Sequence, residues 1–259
     1  MKTLRSNEEK LRDYLSSIEI DESSMAGMNK FTRILCISPH PDDAEIMAGG
    51  YIAGRTREGS KIKLIVVSDG RKGSLTKENE ENMVIIRKHE QEEAAKLLGI
   101  DEVEFMGFRD SEIPDPRIIR DALMPIVRDF APDLVVTVDP NLPYEAHIDH
   151  INVGKAVMEA VLLYSHPTIG RGNVKGERPV LALGATSNPN VIVNIDNFFD
   201  TKMRSIEAHK SQMDSTGYVI EAMKKMMSLY GTVAGCKYGE PFLLLHPESM
   251  HMNPLAKYL

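Results

Sequence analysis

Cysteine is scarce in this sequence of 259 residues, which contains only Cys36 and Cys236. The two form no CxxC pair, so the sequence holds no disulfide framework. Cys36 lies in an apolar run and is expected to behave as a small buried hydrophobic residue. This use of cysteine is typical of a protein of the reducing cytoplasm, which is the localisation we expect.

Long apolar runs and a surplus of positive charge are also missing. No run approaches the roughly 20 apolar residues that span a bilayer, and residues 1–5 lead into acidic and polar positions rather than a signal peptide. The formal net charge is −7, whereas binding to phosphate backbones favours a basic surface. Neither a membrane nor a nucleic acid is therefore an expected partner.

The apolar residues that are present form short runs that alternate with stretches of helical periodicity. A continuous run such as 64–67 is typical of a parallel strand buried on both faces. The alternation predicts an α/β fold, a Rossmann-like, doubly wound and mainly parallel sheet with helices on both faces. The predicted strands are 33–38, 61–68, 102–106, 133–139, 181–185, 191–195 and 242–245; the predicted helices are 44–57, 79–98, 116–130, one that follows His150, 198–213 and 218–230.

The first 29 residues differ from the rest and predict an amphipathic leader, followed by a single domain over 30–259. One helical face of the leader carries Leu4, Leu11, Tyr14, Leu15 and Ile18. Near the other end, Met223, Met226 and Met227 form a stripe that suits core packing or an adaptable contact. Together the leader and the stripe suggest a homo-oligomer.

The most informative motif is the run Pro39-His40-Pro41-Asp42-Asp43, which closes the first predicted strand. A second run, His147-Ile148-Asp149-His150, follows a later strand. Catalytic zinc takes three protein ligands and keeps one position for water, whose pKa it lowers toward roughly 7. His40 and Asp43 could hold one ion from one turn, with His150 as third ligand and Asp42 left over as a general base.

Each run also has a plainer interpretation as a turn with a helix cap, because Pro and Asp favour turns and N-caps. The two runs taken together, each after a strand, favour the metal interpretation. Ligands on doubly wound sheets bind beyond the carboxyl ends of the strands. Besides the two runs, the loop 69–74 and Asp110 follow predicted strands, so separate segments are expected to meet in one crevice.

The sequence resembles the LmbE/PIG-L family of zinc-dependent N-deacetylases. The resemblance spans about residues 30–250 and is carried by the first motif with Gly49-Gly50, by Asp149-His150, and by the segments Arg87–Glu90, Phe105–Asp110 and His209–Gln212. The segment Leu142–His147 is most similar to archaeal diacetylchitobiose deacetylases. One departure is Ala44, where many members place Glu; here the acid is Glu45, whose role the resemblance leaves open.

The resemblance implies a role for each matched residue. The zinc ligands are His40, Asp43 and His150, and the general base is Asp42. His147 is implied to stabilise the oxyanion or to protonate the leaving amine, and Asp149 to orient His147. The candidates for binding the sugar are Arg87, Asp110, Arg71 and His251.

Each sugar-binding candidate also has a structural alternative. Arg87 could pair with Glu90 on a helix surface, and Asp110 could shape its loop. Arg71 could lie in a solvated turn, and His251 could be exposed or could close a neighbour's site.

The function that the resemblance implies is removal of the acetyl group from an N-acetylglucosaminyl compound, with N,N'-diacetylchitobiose or a short chitooligosaccharide as substrate. One alternative is a family amidase that acts on a thiol-glycoside precursor or a glycolipid. Another is a non-catalytic α/β protein that binds a sugar or a nucleotide, although no Gly-rich phosphate fingerprint follows the first strand.

Overall fold

The computed structural model of the protein describes residues 6–19, 27–73 and 80–254, with the side chains of 214–219 left undescribed. Its strands are β1 (Arg33–Ser38), β2 (Lys61–Ser68), β3 (Glu102–Phe108), β4 (Leu134–Val138), β5 (Val180–Gly184), β6 (Val191–Asn194) and β7 (Gly239–Leu245). Its helices are α1 (Asn7–Ser16), α2 (Asp43–Arg57), α3 (Glu80–Leu98), α4 (Pro116–Phe130), α5 (Ile148–Leu162), α6 (Phe199–Glu207) and α7 (Lys210–Val233), and a short 3-10 helix covers Pro247–Met250.

The strands form one sheet in the order β3-β2-β1-β4-β5-β7-β6. Neighbours from β3 to β5 are parallel, whereas β7 runs antiparallel to both β5 and β6. This confirms the predicted doubly wound, mainly parallel sheet. Because β2 and β4 lie on opposite sides of β1, the winding reverses between β1 and β4, and such a switch point opens a crevice at the carboxyl ends of the strands.

Two apolar layers cover the sheet, one on each face. Alternate residues of β1 point to opposite sides, so that Ile34 and Cys36 belong to a cluster with helix α2, while Leu35 and Ile37 belong to a cluster with helices α4 and α5. All four are fully buried. Burial on both faces explains why the central strands are continuous apolar runs rather than alternating ones.

Several boundaries differ from the predicted ones. Helix α5 begins at Ile148 with His147 as its N-cap, so His150 lies inside its first turn instead of before it. The segment predicted as helices 198–213 and 218–230 is divided at 208–209 instead, and α7 then runs without a break to Val233. The last strand starts at Gly239, because it pairs with β6 from that residue onward.

The leader segment contains a capped helix that contacts α7. Ser6 and Glu9 form a reciprocal capping box at the start of α1, and the Tyr14 and Tyr230 hydroxyls are 2.9 Å apart. Leu4 lies outside the described residues. The division into a leader and a single domain stays a prediction. Within the ranges described, no helix has the length and apolarity needed to cross a membrane.

A buried ion pair anchors helix α2, which carries part of the first motif. Both carboxylate oxygens of Glu240 accept backbone N–H groups of this helix, from Gly50 at 2.8 Å and Tyr51 at 2.6 Å. Lys202 donates to the same carboxylate at 2.6 Å and to Ile46 O at 2.7 Å. A Cβ atom at Gly50 would come within 2.7 Å of Ile195, so glycine is required for this close approach.

The fully buried side chain of Arg128 organises the backbone after α5. Its guanidinium donates to four carbonyl oxygens, those of Tyr164 (3.0 Å), His166 (2.8 Å), Arg171 (3.0 Å) and Gly172 (3.2 Å). We expect Arg128→Met to lower the free energy of unfolding by roughly 3 kcal/mol, because the carbonyls lose a charged donor.

Urea denaturation of the Arg128→Met variant measures this loss. The control is Lys175→Met, which removes an exposed ammonium group and its two contacts with Asp129 and should cost at most about 1 kcal/mol. Equal losses in the two variants would contradict the assigned role of Arg128.

Candidate active site

The two sequence motifs meet at the switch point between β1 and β4. His40, Asp42 and Asp43 follow β1, and His147 and His150 lie at the start of α5, beyond β4. The turn after β1 is held by its own residues, since Asp43 Oδ2 accepts the backbone N–H of His40 at 2.8 Å. Asp43 is also the first residue of α2, where the helix dipole favours a negative charge.

One group of potential metal ligands consists of His40, Asp43 and His150. Asp43 Oδ2 lies 3.1 Å from His40 Nδ1 and 3.4 Å from His150 Nε2. One ligand atom from each residue falls within 4.8 Å of the others. The residues predicted as ligands are thus brought together.

A second group shares His40 and adds Asp110, His147 and Asp149. Its carboxylates face the other ring nitrogen of His40, at 3.2 Å for Asp149 Oδ2 and 3.4 Å for Asp110 Oδ1. Metal-ligating histidines commonly donate their second ring N–H to a carboxylate, which fixes the tautomer and makes the ligating nitrogen more basic. Asp149 and Asp110 therefore suit the outer shell, with Asp43 and His150 on the ligating side.

The donor set fits a divalent metal. Two imidazoles and one carboxylate are the ligands of many catalytic zinc sites. Burial alone would lower the pKa of His40, but hydrogen bonds to Asp110, Asp149 and Asp43 raise it to about 12. Burial alone would raise the pKa of Asp43, but hydrogen bonds from His150 and His40 hold it well below its usual range. The carboxylates thus create a region that is complementary to positive charge.

Glu145 and Ser111, which are not among the predicted site residues, support this region. Glu145 Oε2 lies 3.2 Å from His150 Nδ1, and its Oε1 accepts the backbone N–H of His147 at 2.7 Å. The N–H of Ser111 donates to Asp149 Oδ2 at 2.7 Å. For Glu145 there was a signal, because it is a carboxylate two residues before His147.

Asp42 lies beside the ligand group and adopts an unusual backbone conformation. Its φ of 105° is in the left-handed region, which non-glycine residues seldom adopt. Its carboxylate accepts from Arg87 Nη2 at 3.1 Å, and its backbone N–H donates to Gln91 Oε1 at 3.0 Å. Burial raises the pKa of Asp42 to about 6, against the opposing charge of Arg87 and with the added repulsion of Asp43.

His147 is exposed at the edge of the cleft. Its Nδ1 accepts the N–H of Asp149 at 3.4 Å, which places the proton of the neutral ring on Nε2. Burial, followed by the charges of His40 and His150, lowers the pKa of His147, so the neutral ring is favoured. The predicted partner of the Asp149 carboxylate is His147, whereas in the structure this carboxylate lies 3.2 Å from Nε2 of His40.

The cleft that opens over these residues has a volume of about 270 Å³. Its described lining consists of His40, Asp42, Lys72, Gly73, Arg87, Asp110, Ser111 and His147. Of the four predicted sugar-binding residues, Arg87 and Asp110 therefore belong to the cleft.

The other two candidates lie outside the described lining. Arg71 pairs instead with Asp69, at 2.7 Å, and with Glu81, at 3.1 Å. His251 is exposed after the 3-10 helix.

Comparison with known proteins follows the same motifs. The model of the family described as PIG-L, GlcNAc-PI de-N-acetylase, matches residues 35–161. Diacetylchitobiose deacetylase from Thermococcus kodakarensis is 31% identical over 236 residues, covering 88% of each chain. The chain belongs to the PIG-L family. This confirms the resemblance drawn from the motifs.

Two further proteins show how far the similarity extends. The structure of N,N'-diacetylchitobiose deacetylase from Pyrococcus horikoshii matches with a TM-score of 0.86 and 29% identity, and all of both chains is covered. A probable N-acetyl-alpha-D-glucosaminyl L-malate deacetylase 2 from Bacillus cereus is 31% identical over 196 residues, covering 70% of this chain and 84% of the relative. Similarity to the two diacetylchitobiose deacetylases thus spans more of the chain.

Proposed function

We propose that this protein is a zinc-dependent hydrolase that removes the acetyl group from an N-acetylglucosaminyl compound, with N,N'-diacetylchitobiose as the favoured substrate. The observation that carries the proposal is the position of Asp42, a carboxylate that lines the cleft beside the group His40, Asp43 and His150 without being part of it. Similarity to diacetylchitobiose deacetylases over 88% and 100% of the chain supports the substrate.

In this proposal His40, Asp43 and His150 would hold the metal. A bound zinc ion would supply Lewis acidity and would lower the pKa of a water molecule toward about 7. Asp149 and Asp110 would orient His40, and Glu145 would orient His150, through the contacts described above. Such outer partners fix the ring orientation of ligating histidines.

The protein's own groups would then handle the protons of amide hydrolysis. Asp42 would accept a proton from the attacking water while the water oxygen forms a bond to the acetyl carbon. The Nε2–H of His147 would donate a hydrogen bond to the carbonyl oxygen as negative charge develops there. When the C–N bond breaks, the amine would take up the proton that Asp42 had accepted, which leaves acetate and a free amino sugar.

The substrate would be bound by the polar rim of the cleft. Arg87 and Asp110 line it, but both also have structural partners: Arg87 donates to Gly70 O at 3.1 Å, and Asp110 Oδ2 accepts the N–H of Lys72 at 3.0 Å. Asp110 would therefore combine sugar binding with support of His40, and Arg87 would mainly hold Asp42. Arg71 and His251 remain predicted sugar-binding residues. Because they lie outside the described lining of the cleft, they could contact only a part of the substrate that extends beyond it.

The test is a product assay with the zinc-loaded protein. We expect acetate and a free amine from N,N'-diacetylchitobiose, measured by mass spectrometry, at a higher kcat/KM than from N-acetylglucosamine or an N-acetylglucosaminyl L-malate. A preference for the malate conjugate would overturn the proposed substrate. No acetate from any of the three, at full zinc occupancy, would overturn the proposed activity.

A further inference from the structure

A buried chain of polar side chains leads from Asp42 into the interior, and the reaction proposed above makes no use of it. The amide of Gln91 lies between Asp42 and Glu45, because its Oε1 accepts Asp42 N–H at 3.0 Å and its Nε2 donates to Glu45 Oε1 at 2.8 Å. Glu45 Oε2 in turn lies 3.4 Å from His209 Nε2. Gln91, Glu45 and His209 are all 0% exposed.

The direction of this chain is fixed by chemistry. The backbone N–H of Asp42 can only donate, so the amide oxygen of Gln91 must face it. The amide nitrogen of Gln91 is then directed at Glu45, whose carboxylate accepts. Both ends of the Gln91 amide thus meet the partner that they require, and reversing the amide would leave both ends unsatisfied.

The need for such a chain follows from the backbone of Asp42. A non-glycine residue at φ 105° is held in a conformation that costs on the order of 1–3 kcal/mol and persists only where its surroundings determine it. Helix α3 provides these surroundings through two residues that are four positions apart on one face. Arg87 donates to the Asp42 carboxylate and to Pro41 O, and Gln91 accepts the Asp42 N–H.

We infer that Gln91 and Glu45 are positioning residues that hold Asp42 in its left-handed conformation and so direct its carboxylate into the cleft. The inference rests on the proposed function, in which Asp42 accepts the proton. It also gives a role to Glu45, the acid that is displaced by one position from the common family pattern.

Loss of this support should affect catalysis more than binding. His40 and Asp43 keep their own hydrogen bond across the turn, so zinc should remain bound. A displacement of about 1 Å can cost about 10²-fold in rate. We therefore expect a fall in kcat of about 10- to 100-fold, with KM changed by less than about 3-fold.

A double-mutant cycle tests the hydrogen-bond chain itself. In Gln91→Glu two carboxylates meet at the 2.8 Å contact, and the donor to Glu45 is lost. In the double variant Gln91→Glu/Glu45→Gln the polarity is exchanged, since the amide at position 45 can donate to the carboxylate at position 91, which still accepts the Asp42 N–H. We expect the single variant to lose kcat as stated and the double variant to recover to within about 5-fold of the wild type.

The matched control is Glu90→Gln. Glu90 is a buried acid on the same helix, but it accepts from the N–H and Oγ of Ser211 rather than from Asp42. We expect both Glu90→Gln and Gln91→Glu to lower the melting temperature. Glu90→Gln, however, should keep kcat within about 3-fold of the wild type. If the double variant regains its melting temperature but not kcat, the inference is wrong.

Two further measurements keep the inference testable if Gln91→Glu does not fold or the substrate is different. Gln91→Met has a similar volume, adds no charge and removes the acceptor; unchanged kcat in this variant would overturn the inference. A crystal structure of metal-free Gln91→Met should show Asp42 outside the left-handed region, and retention of φ near 105° would also overturn it. If the wild-type protein is inactive, the proposed function is wrong. The crystal structure still tests the positioning role in that case, because the conformation of Asp42 can be observed without activity.

Discussion

Asp42→Asn should lower kcat by at least about 10²-fold while about one zinc ion per chain stays bound, since general-base catalysis contributes about 10²- to 10⁴-fold. The substitution keeps the size of the side chain and the N–H that donates to Gln91. Asparagine also tolerates the left-handed backbone better than most residues do. What is lost is the proton acceptor, and the carboxylate of Asp42 is absent from both potential ligand groups among the described residues.

The measurement combines steady-state kinetics on N,N'-diacetylchitobiose with elemental analysis of the same preparation. Asp43→Asn provides the contrast, because Asp43 Oδ2 contacts both His40 and His150 and its loss should empty the metal site. If Asp42→Asn loses zinc and Asp43→Asn retains it, the roles of the two aspartates are reversed.

Much of the fold could be predicted because the physical causes are local. Strands buried on both faces are mostly apolar, as in β2, where Ile62 and the run 64–67 are all fully buried. Helices that begin after a strand carry their own signals, such as Asp115 and Pro116 at the start of α4. These features depend on neighbours in the chain, and the sequence displays them directly.

The boundaries that were wrong depend on distant contacts. The break between α6 and α7 falls at 208–209, where the sequence has neither proline nor glycine. Instead, His209 is buried against Glu45, and Ser211 donates to Glu90 from the next helical turn. The predicted gap between residues 213 and 218 is absent, because α7 continues through it.

The same distinction applies to the site. The ligand candidates could be predicted because His40, Asp43 and His150 belong to compact motifs that follow strands. Their support could not, because Ser111 and Gln91 contact residues 38 and 49 positions away, respectively. A side chain such as Gln91 looks like any polar residue of a helix until the fold places it next to Asp42.

His150→Ala should remove zinc and with it the deacetylase activity, and it decides between the two potential ligand groups. His40 belongs to both groups, so its removal cannot distinguish them. His150 belongs only to the group with Asp43, whereas His147 belongs only to the group with Asp110 and Asp149. Loss of a residue that only orients a metal ligand weakens metal binding by about 10- to 100-fold. We expect His150→Ala to weaken zinc binding by more than this.

His147→Ala and Asp149→Asn complete this comparison, with zinc affinity measured by competition with a chelator. His147→Ala should keep the affinity of the wild type, because its ring is assigned to the carbonyl oxygen of the substrate. Asp149→Asn should weaken zinc binding by about 10- to 100-fold, because His40 loses the carboxylate that lies 3.2 Å from its Nε2. The exposed His89 gives the control substitution, His89→Ala, which should change nothing. Loss of zinc in His147→Ala with full retention in His150→Ala would place the ion in the second group, and Asp149 would then be a ligand rather than the residue that orients His40.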